Sequence, residues 1–181
     1  MSITLILGGA RSGKSRHAEQ LAQASGKAVT VIATATAGDA EMAARIVRHR
    51  QDRPAQWQVV EEPCALGSAI LHAAAPDRLV LVDCLTLWLA NTLFGSDSHA
   101  EDAIPAPSPL FEHERSALLA ALAQATGDVV LVSNEIGLGV VPLGAGNRLF
   151  VDEAGRLNQA VAAASQRVFF IAAGLALPLK G

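Results

Sequence analysis

Residues 3–15 constrain this chain more than any other stretch. The aliphatic run Ile3–Leu7 leads into Gly8-Gly9-Ala10-Arg11-Ser12-Gly13-Lys14-Ser15, and helix-forming residues follow with Glu19, Leu21 and Ala22. The pattern G-x-x-x-x-G-K-[ST] between a strand and a helix is that of a P-loop. Glycines there let successive backbone N–H groups point inward at phosphate oxygens, and the helix N-terminus adds partial positive charge. Lys14 is expected to reach the β- and γ-phosphates, and the Ser15 hydroxyl to ligate Mg²⁺. Arg11 and Arg16 raise the local positive potential.

The rest of the chain supplies what such a loop needs. Further strands are expected at Ala28–Ala33, Leu79–Asp83, Val129–Ser133 and Val168–Ala172, with a weaker one at Gln58–Val60. They are continuous hydrophobic runs without polar alternation, which marks strands covered on both faces. Helices are expected at Lys14–Ser25, Asp39–Asp52, Pro63–Ala75, Leu110–Ala125 and Asp152–Ser165, with another from Leu85. Strand–helix alternation of this kind predicts an α/β fold with a mainly parallel sheet between helix layers. At 181 residues the chain is expected to form one domain. Its 51% hydrophobic content is ample for one core. Gly95–Pro109, with three prolines and several small polar residues, is expected to be a flexible surface insert within that domain.

Composition excludes several alternatives. No apolar run reaches the roughly 18 residues of a membrane span. The N-terminus lacks a basic flank, so no signal peptide and a cytoplasmic location are expected. Net charge is −3, which argues against nucleic-acid binding by bulk charge. Cys64 and Cys84 lack metal-ligand spacing and suggest buried free thiols. No Asn-Lys-x-Asp guanine-reading motif is present, so a Ras-type GTPase is excluded. A small-molecule kinase or a nucleotidyltransferase fits better.

A P-loop site also needs a carboxylate at the end of a neighbouring strand. Asp83, closing Leu79–Asp83, is placed for that, as metal ligand or as cap of the following helix. Glu135 is a second candidate acid. In the helix over Asp39–Asp52, His49 sits among Arg45, Arg48, Arg50 and Arg53. Crowded cations favour a neutral, nucleophilic imidazole, and the same arginines suit a triphosphate. Read by itself, the stretch is more simply a solvated basic helix face.

GGARSGKSRHAE, EMAARIVRHRQDRPAQW, VVEEP, LVDCLTLWLAN, VSNEIGLGVVP and AGRLNQAVA together resemble the bifunctional adenosylcobinamide kinase/adenosylcobinamide-phosphate guanylyltransferases of cobalamin biosynthesis. The resemblance runs from Ile3 to Lys180 and lapses only in the Gly95–Pro109 insert. It implies a RecA-like P-loop fold, a trimer, and two reactions. ATP or GTP phosphorylates the aminopropanol hydroxyl of adenosylcobinamide. GMP is then transferred from GTP to that phosphate, releasing pyrophosphate, by way of a histidine–GMP phosphoramidate.

His49 matches the nucleophile of that family; some relatives carry a second histidine where this chain has Arg48. Nucleotide contacts carry over to Gly8, Gly9, Ala10, Arg11, Ser12, Gly13, Lys14 and Ser15. They carry over equally to Thr34, Ala35 and Thr36, to Arg50, Gln51, Asp52 and Arg53, and to Glu61 and Asp83. The carboxylate of Glu61 suits the guanine N1–H and 2-amino group. Asn134, Glu135, Arg148, Asp152, Arg156 and Asn158 match family positions expected near the corrinoid or an inter-subunit cleft. Two other readings stand beside this one. One is a P-loop small-molecule kinase without a covalent nucleotide, and the other is a RecA-like nucleotide-binding assembly module. His17 is open between packing and ligand contact; His72, His99 and His113 suggest surface positions, and Trp57 and Trp88 core or interface anchors.

Overall fold

The computed structural model describes residues 1–36, 53–95 and 106–181. The first layer to form from the sequence is the sheet. In chain order the strands are β1 Ile3–Gly8, β2 Ala28–Ala33, β3 Gln58–Glu61, β4 Arg78–Asp83, β5 Asp128–Asn134, β6 Arg167–Ala172 and β7 Leu175–Lys180. The helices are α1 Lys14–Ala24, α2 Leu66–Ala73, α3 Leu85–Phe94, α4 Pro109–Gln124 and α5 Ala145–Ala164. The strands lie in the order β3-β2-β4-β5-β1-β6-β7. All pair in parallel except β6 with β7. The helix expected at Asp39–Asp52, and with it His49, Arg50, Gln51 and Asp52, lies outside the described residues, as does most of the Gly95–Pro109 insert.

The uninterrupted apolar runs have a direct explanation in the two cores. Along β1, β4 and β5, side chains alternate between them. Ile3, Leu5, Leu7, Val80, Val82, Val129 and Leu131 pack under α2, α3, α4 and α5. Ile6, Leu79, Leu81, Val130 and Val132 pack with Ala18 and Ala22 of α1. Both faces are therefore dry, and polar alternation has no place. Trp88 is fully buried, lies 6.0 Å from Phe111 and donates its indole N–H to the Cys64 carbonyl at 2.7 Å. It is a core anchor, as expected. Pro109 is the first residue of α4, and the Ser108 hydroxyl caps that helix by accepting from the Phe111 N–H at 3.0 Å. The strands on both sides of the insert belong to this one sheet.

Three elements depart from expectation. Helix α5 starts at Ala145, well before Asp152. Gly146 and Asn147 are poor helix formers, but Leu149 and Phe150 pack on the core and Phe150 lies 5.9 Å from Phe94. Tertiary burial overrides local propensity there. Strand β7 was not expected at all. It turns back from β6 through Ala173 (φ 51°) and Gly174 (φ 78°), the two-residue turn whose twist matches a hairpin. Pro178 is tolerated because β7 is the sheet edge. The α2 helix is also shorter than the Pro63–Ala75 expectation at both ends.

Candidate active site

Parallel register fixes where the chemistry collects. Gly8 aligns with Asn134 on one side and Ile171 on the other, and Ala33 aligns with Asp83 and Glu61. The phosphate loop, Asp83 and Glu61 thus share the carboxyl edge of the sheet, where open α/β sheets bind ligands.

The loop itself is tightly tied. Its Ser12 N–H donates to the Gly9 carbonyl at 3.2 Å, and the Ser12 carbonyl accepts from the Gly174 N–H at 2.9 Å. The β6–β7 turn therefore braces the loop, a contact between residues 162 positions apart that no local pattern announces. Gly13 stands at φ 97°, in the left-handed region, and a Cβ there would lie 3.2 Å from the Gly174 Cα. At Gly8 a Cβ would lie 2.6 Å from both the Ile171 carbonyl oxygen and the Ser12 Oγ. A backbone oxygen in a central sheet cannot retreat. Gly8→Ala is accordingly expected to cost about 1–3 kcal/mol by overpacking and to displace the loop. A urea melt together with titration of a fluorescent guanine nucleotide checks both consequences.

Lys14 opens α1 and its Nζ donates to the Gly9 carbonyl at 3.2 Å, curled within the loop. Ser15 follows in the first turn. Asp83 accepts from the Arg53 guanidinium, Nη2 to Oδ2, at 2.5 Å, and Arg53 Nε donates to Glu19 Oε1 at 3.4 Å. Arg53 is therefore turned onto carboxylates, with its side chain only 5% exposed. Thr34 also has structural work. It is fully buried, its hydroxyl donates to the Cys84 carbonyl at 2.7 Å and accepts from the Cys84 N–H at 2.9 Å, and its own N–H donates to the Asp83 carbonyl at 3.1 Å. Thr34, expected among the nucleotide contacts, thus has its hydroxyl and N–H engaged in fastening β2 to the end of β4. Ala35 is half-buried, and Thr36 and Glu61 are exposed.

Serine hydroxyl and carboxylate oxygens at this edge are the hard donors that suit Mg²⁺, which takes few protein ligands and keeps phosphate and water oxygens. Among the described residues no group of three or more His, Cys, Asp or Glu is placed to hold a metal ion by itself.

Three residues with no role in the sequence reading shape the site. Glu19 pairs with Arg53, Asn91 donates to the Thr34 carbonyl at 2.8 Å, and the Thr86 hydroxyl accepts from the Asn134 N–H at 2.8 Å. Late in the chain, Glu135 accepts from the Gly137 N–H at 2.7 Å, Arg148 donates to the Pro142 and Leu143 carbonyls, and Arg156 pairs with Glu153. Asn158 donates to the Asn134 carbonyl at 3.3 Å.

The described cysteines and histidines differ in burial. Cys84 is buried, and burial followed by the neighbouring Asp83 charge pushes its thiol pKa up. Cys64 is only half-buried, short of the expected burial, yet desolvation and then Glu62 raise it too. His72 and His113 are exposed. His17 packs edge-on against Phe169 at 5.5 Å, and its buried Nε2 has no hydrogen-bond partner. Desolvation lowers its pKa from 6.5. The unfolded chain therefore takes up the proton first as pH falls, so stability is full above pH 6.5 and declines below it, down through the lowered folded value. Thermal melts between about pH 7 and pH 5 should show a larger loss for the wild type than for His17→Phe.

A glycine-rich loop between β1 and the first helix, at the same sheet edge as an acid closing another parallel strand, defines a P-loop nucleotide-binding protein of the RecA-like kind. Solved structures agree on the fold. The flagellar accessory protein FlaH from Methanocaldococcus jannaschii aligns with TM-score 0.51 and 12% identity over 99% of this chain and 78% of that one. The RadB recombinase aligns with TM-score 0.50 and 15% identity over 93% and 73%. The chain belongs to the cobinamide kinase/cobinamide phosphate guanyltransferase family, which it matches over residues 4–179. It is 55% identical to the bifunctional adenosylcobalamin biosynthesis protein CobP of Pseudomonas aeruginosa, covering 98% of this chain and 96% of that one. To CobU of Escherichia coli, of the same description, it is 42% identical over 97% and 98%. Among the described residues no helix is long and apolar enough to cross a membrane.

Proposed function

We propose that this chain performs two successive transfers on adenosylcobinamide, within one cytoplasmic P-loop domain spanning residues 1–181. The first moves the γ-phosphoryl group of ATP or GTP to the aminopropanol hydroxyl, giving adenosylcobinamide phosphate. In the second, a ring nitrogen of His49 attacks the α-phosphorus of GTP, forming a P–N bond as the bond to the β-phosphate oxygen breaks and pyrophosphate leaves. A phosphate oxygen of adenosylcobinamide phosphate then attacks the same phosphorus, breaking the P–N bond and yielding adenosylcobinamide-GDP. One difficult displacement becomes two, each with a positioned attacker.

The observation that carries this reading is the braced phosphate cradle at the carboxyl edge, in a chain that matches the family over 4–179. Backbone N–H groups of Gly9–Gly13 and the Lys14 ammonium offset charge on the β- and γ-phosphates, which develops further as pyrophosphate departs. Mg²⁺, held by Ser15 and Asp83, would add its positive charge to those same oxygens. The nucleotide contacts proposed beyond the cradle are Ala35, Thr36, Arg50, Gln51, Asp52, Arg53 and Glu61, the last toward the guanine edge. A homo-oligomer, a trimer by family resemblance, accords with the exposed apolar side chains of Leu138, Val140 and Leu143 after β5 and of Leu175, Leu177 and Leu179 on β7.

Incubation of the protein with adenosylcobinamide, GTP and Mg²⁺, followed by mass, is expected to show the phosphate and then the GDP product. With α-labelled GTP alone, the protein should acquire an acid-labile, alkali-stable GMP adduct. A phosphate product without GDP product or adduct overturns the guanylyl half and leaves a plain kinase.

A further inference from the structure

Arg53 carries a full charge almost out of water and meets it with two acids from different elements. Its Nη2 is 2.5 Å from Asp83 at the end of β4, and its Nε is 3.4 Å from Glu19 on α1. The Arg53 side chain is 5% exposed, and those of Asp83 and Glu19 are 20% and 23% exposed. A guanidinium in that position is strongly destabilising unless an anion stays beside it. Asp83 is also the carboxylate assigned to the metal in the reading above, on which this inference rests. A guanidinium and a divalent cation compete for one carboxylate charge, since each repels the other across it. Ser15 and Glu19 are four residues apart in α1, so they share one helix face. Glu19 therefore lies one turn beyond the proposed metal-binding hydroxyl, with the guanidinium reaching from it to Asp83.

We propose that Arg53 is a resident counter-cation for Asp83, and that it yields Asp83 to the divalent ion by moving its ion pair onto Glu19. The short contact to Asp83 and the longer one to Glu19 are the two ends of that exchange. With Glu19 as second partner, the metal can take Asp83 without leaving a buried, unpaired guanidinium. The trio thus sets divalent-ion affinity and makes Glu19 a positioning residue for a site it does not touch.

Mn²⁺ serves as the probe, with free ion followed by electron paramagnetic resonance at saturating α,β-methylene-GTP, which cannot be split at the α-phosphorus. Arg53→Met should tighten Mn²⁺ binding about fivefold or more, and Glu19→Gln should weaken it by a similar factor. The double variant should follow Arg53→Met, because no guanidinium remains to be rehoused. Weaker or unchanged binding in Arg53→Met overturns the exchange. If Arg53→Met does not fold, Glu19→Gln decides alone, and unchanged or tighter binding there overturns it. Asp83→Asn separates the layers. Loss of Mn²⁺ binding in that variant keeps Asp83 as the ligand whatever Arg53 does, whereas retained wild-type affinity removes the metal reading and the exchange together.

Discussion

On the proposed reading, His49→Ala is expected to stop guanylyl transfer and to leave phosphorylation of adenosylcobinamide running. Alanine has no nitrogen to attack the α-phosphorus, so the GMP adduct is absent and the acceptor phosphate must displace pyrophosphate directly from a site arranged for the imidazole. Removing a covalent nucleophile from such a unit costs about 10³-fold or more in kcat. The γ-phosphoryl transfer uses the cradle and the acceptor hydroxyl, so its kcat/KM is expected to stay within about threefold of wild type. Measuring both products in one time course, by mass, gives the split directly. Equal loss of the two activities would mean that His49 supports the fold or the nucleotide site in general and is no nucleophile.

Lys14→Met is expected to lower both activities together, by about 10²–10³-fold in kcat/KM, the range for removing one preorganised charge from a transition state. The position of Lys14 is the reason to expect the two reactions to fall in step. Lys14 opens α1 directly after the loop, and its ammonium donates to the Gly9 carbonyl within that loop. On the proposed reading, both transfers draw on charge at the β- and γ-phosphates, which the loop would hold beside this ammonium. Methionine keeps the length and the helix start but cannot compensate that charge. Stability should change by no more than about 1–2 kcal/mol, because the Gly9 bond given up is a part-buried contact within the loop and not part of the core. A thermal melt beside the two rate assays checks this. A loss confined to one activity would overturn the shared-cradle reading.

The central parallel strands were legible in the sequence because each is an uninterrupted aliphatic run, and burial on both faces leaves no other pattern. The phosphate loop was legible because its backbone geometry demands glycine at fixed places, Gly8 against the Ile171 carbonyl and Gly13 at positive φ. Strand β7 escaped notice since Pro178 and the exposed leucines look like a tail until the Ala173–Gly174 turn sets them beside β6. The early start of α5 escaped because Gly146 and Asn147 argue locally against a helix that Phe150 and Leu149 secure by packing.

The candidate site divides in the same way. Lys14, Ser15 and Asp83 were visible as a motif and as an acid closing an apolar run. That Arg53 faces Asp83 and Glu19, and that Thr34 spends its hydroxyl on Cys84, was not visible, since those partners lie 30, 34 and 50 residues apart. Sequence alone determined the α/β class, the phosphate cradle and the family, because these rest on short-range spacing and on side chains fitted to a dry sheet. Tertiary structure decided which charges meet and which polar groups are already taken. Ion pairs and hydrogen bonds need atoms within about 3 Å, and only the folded sheet brings distant segments that close.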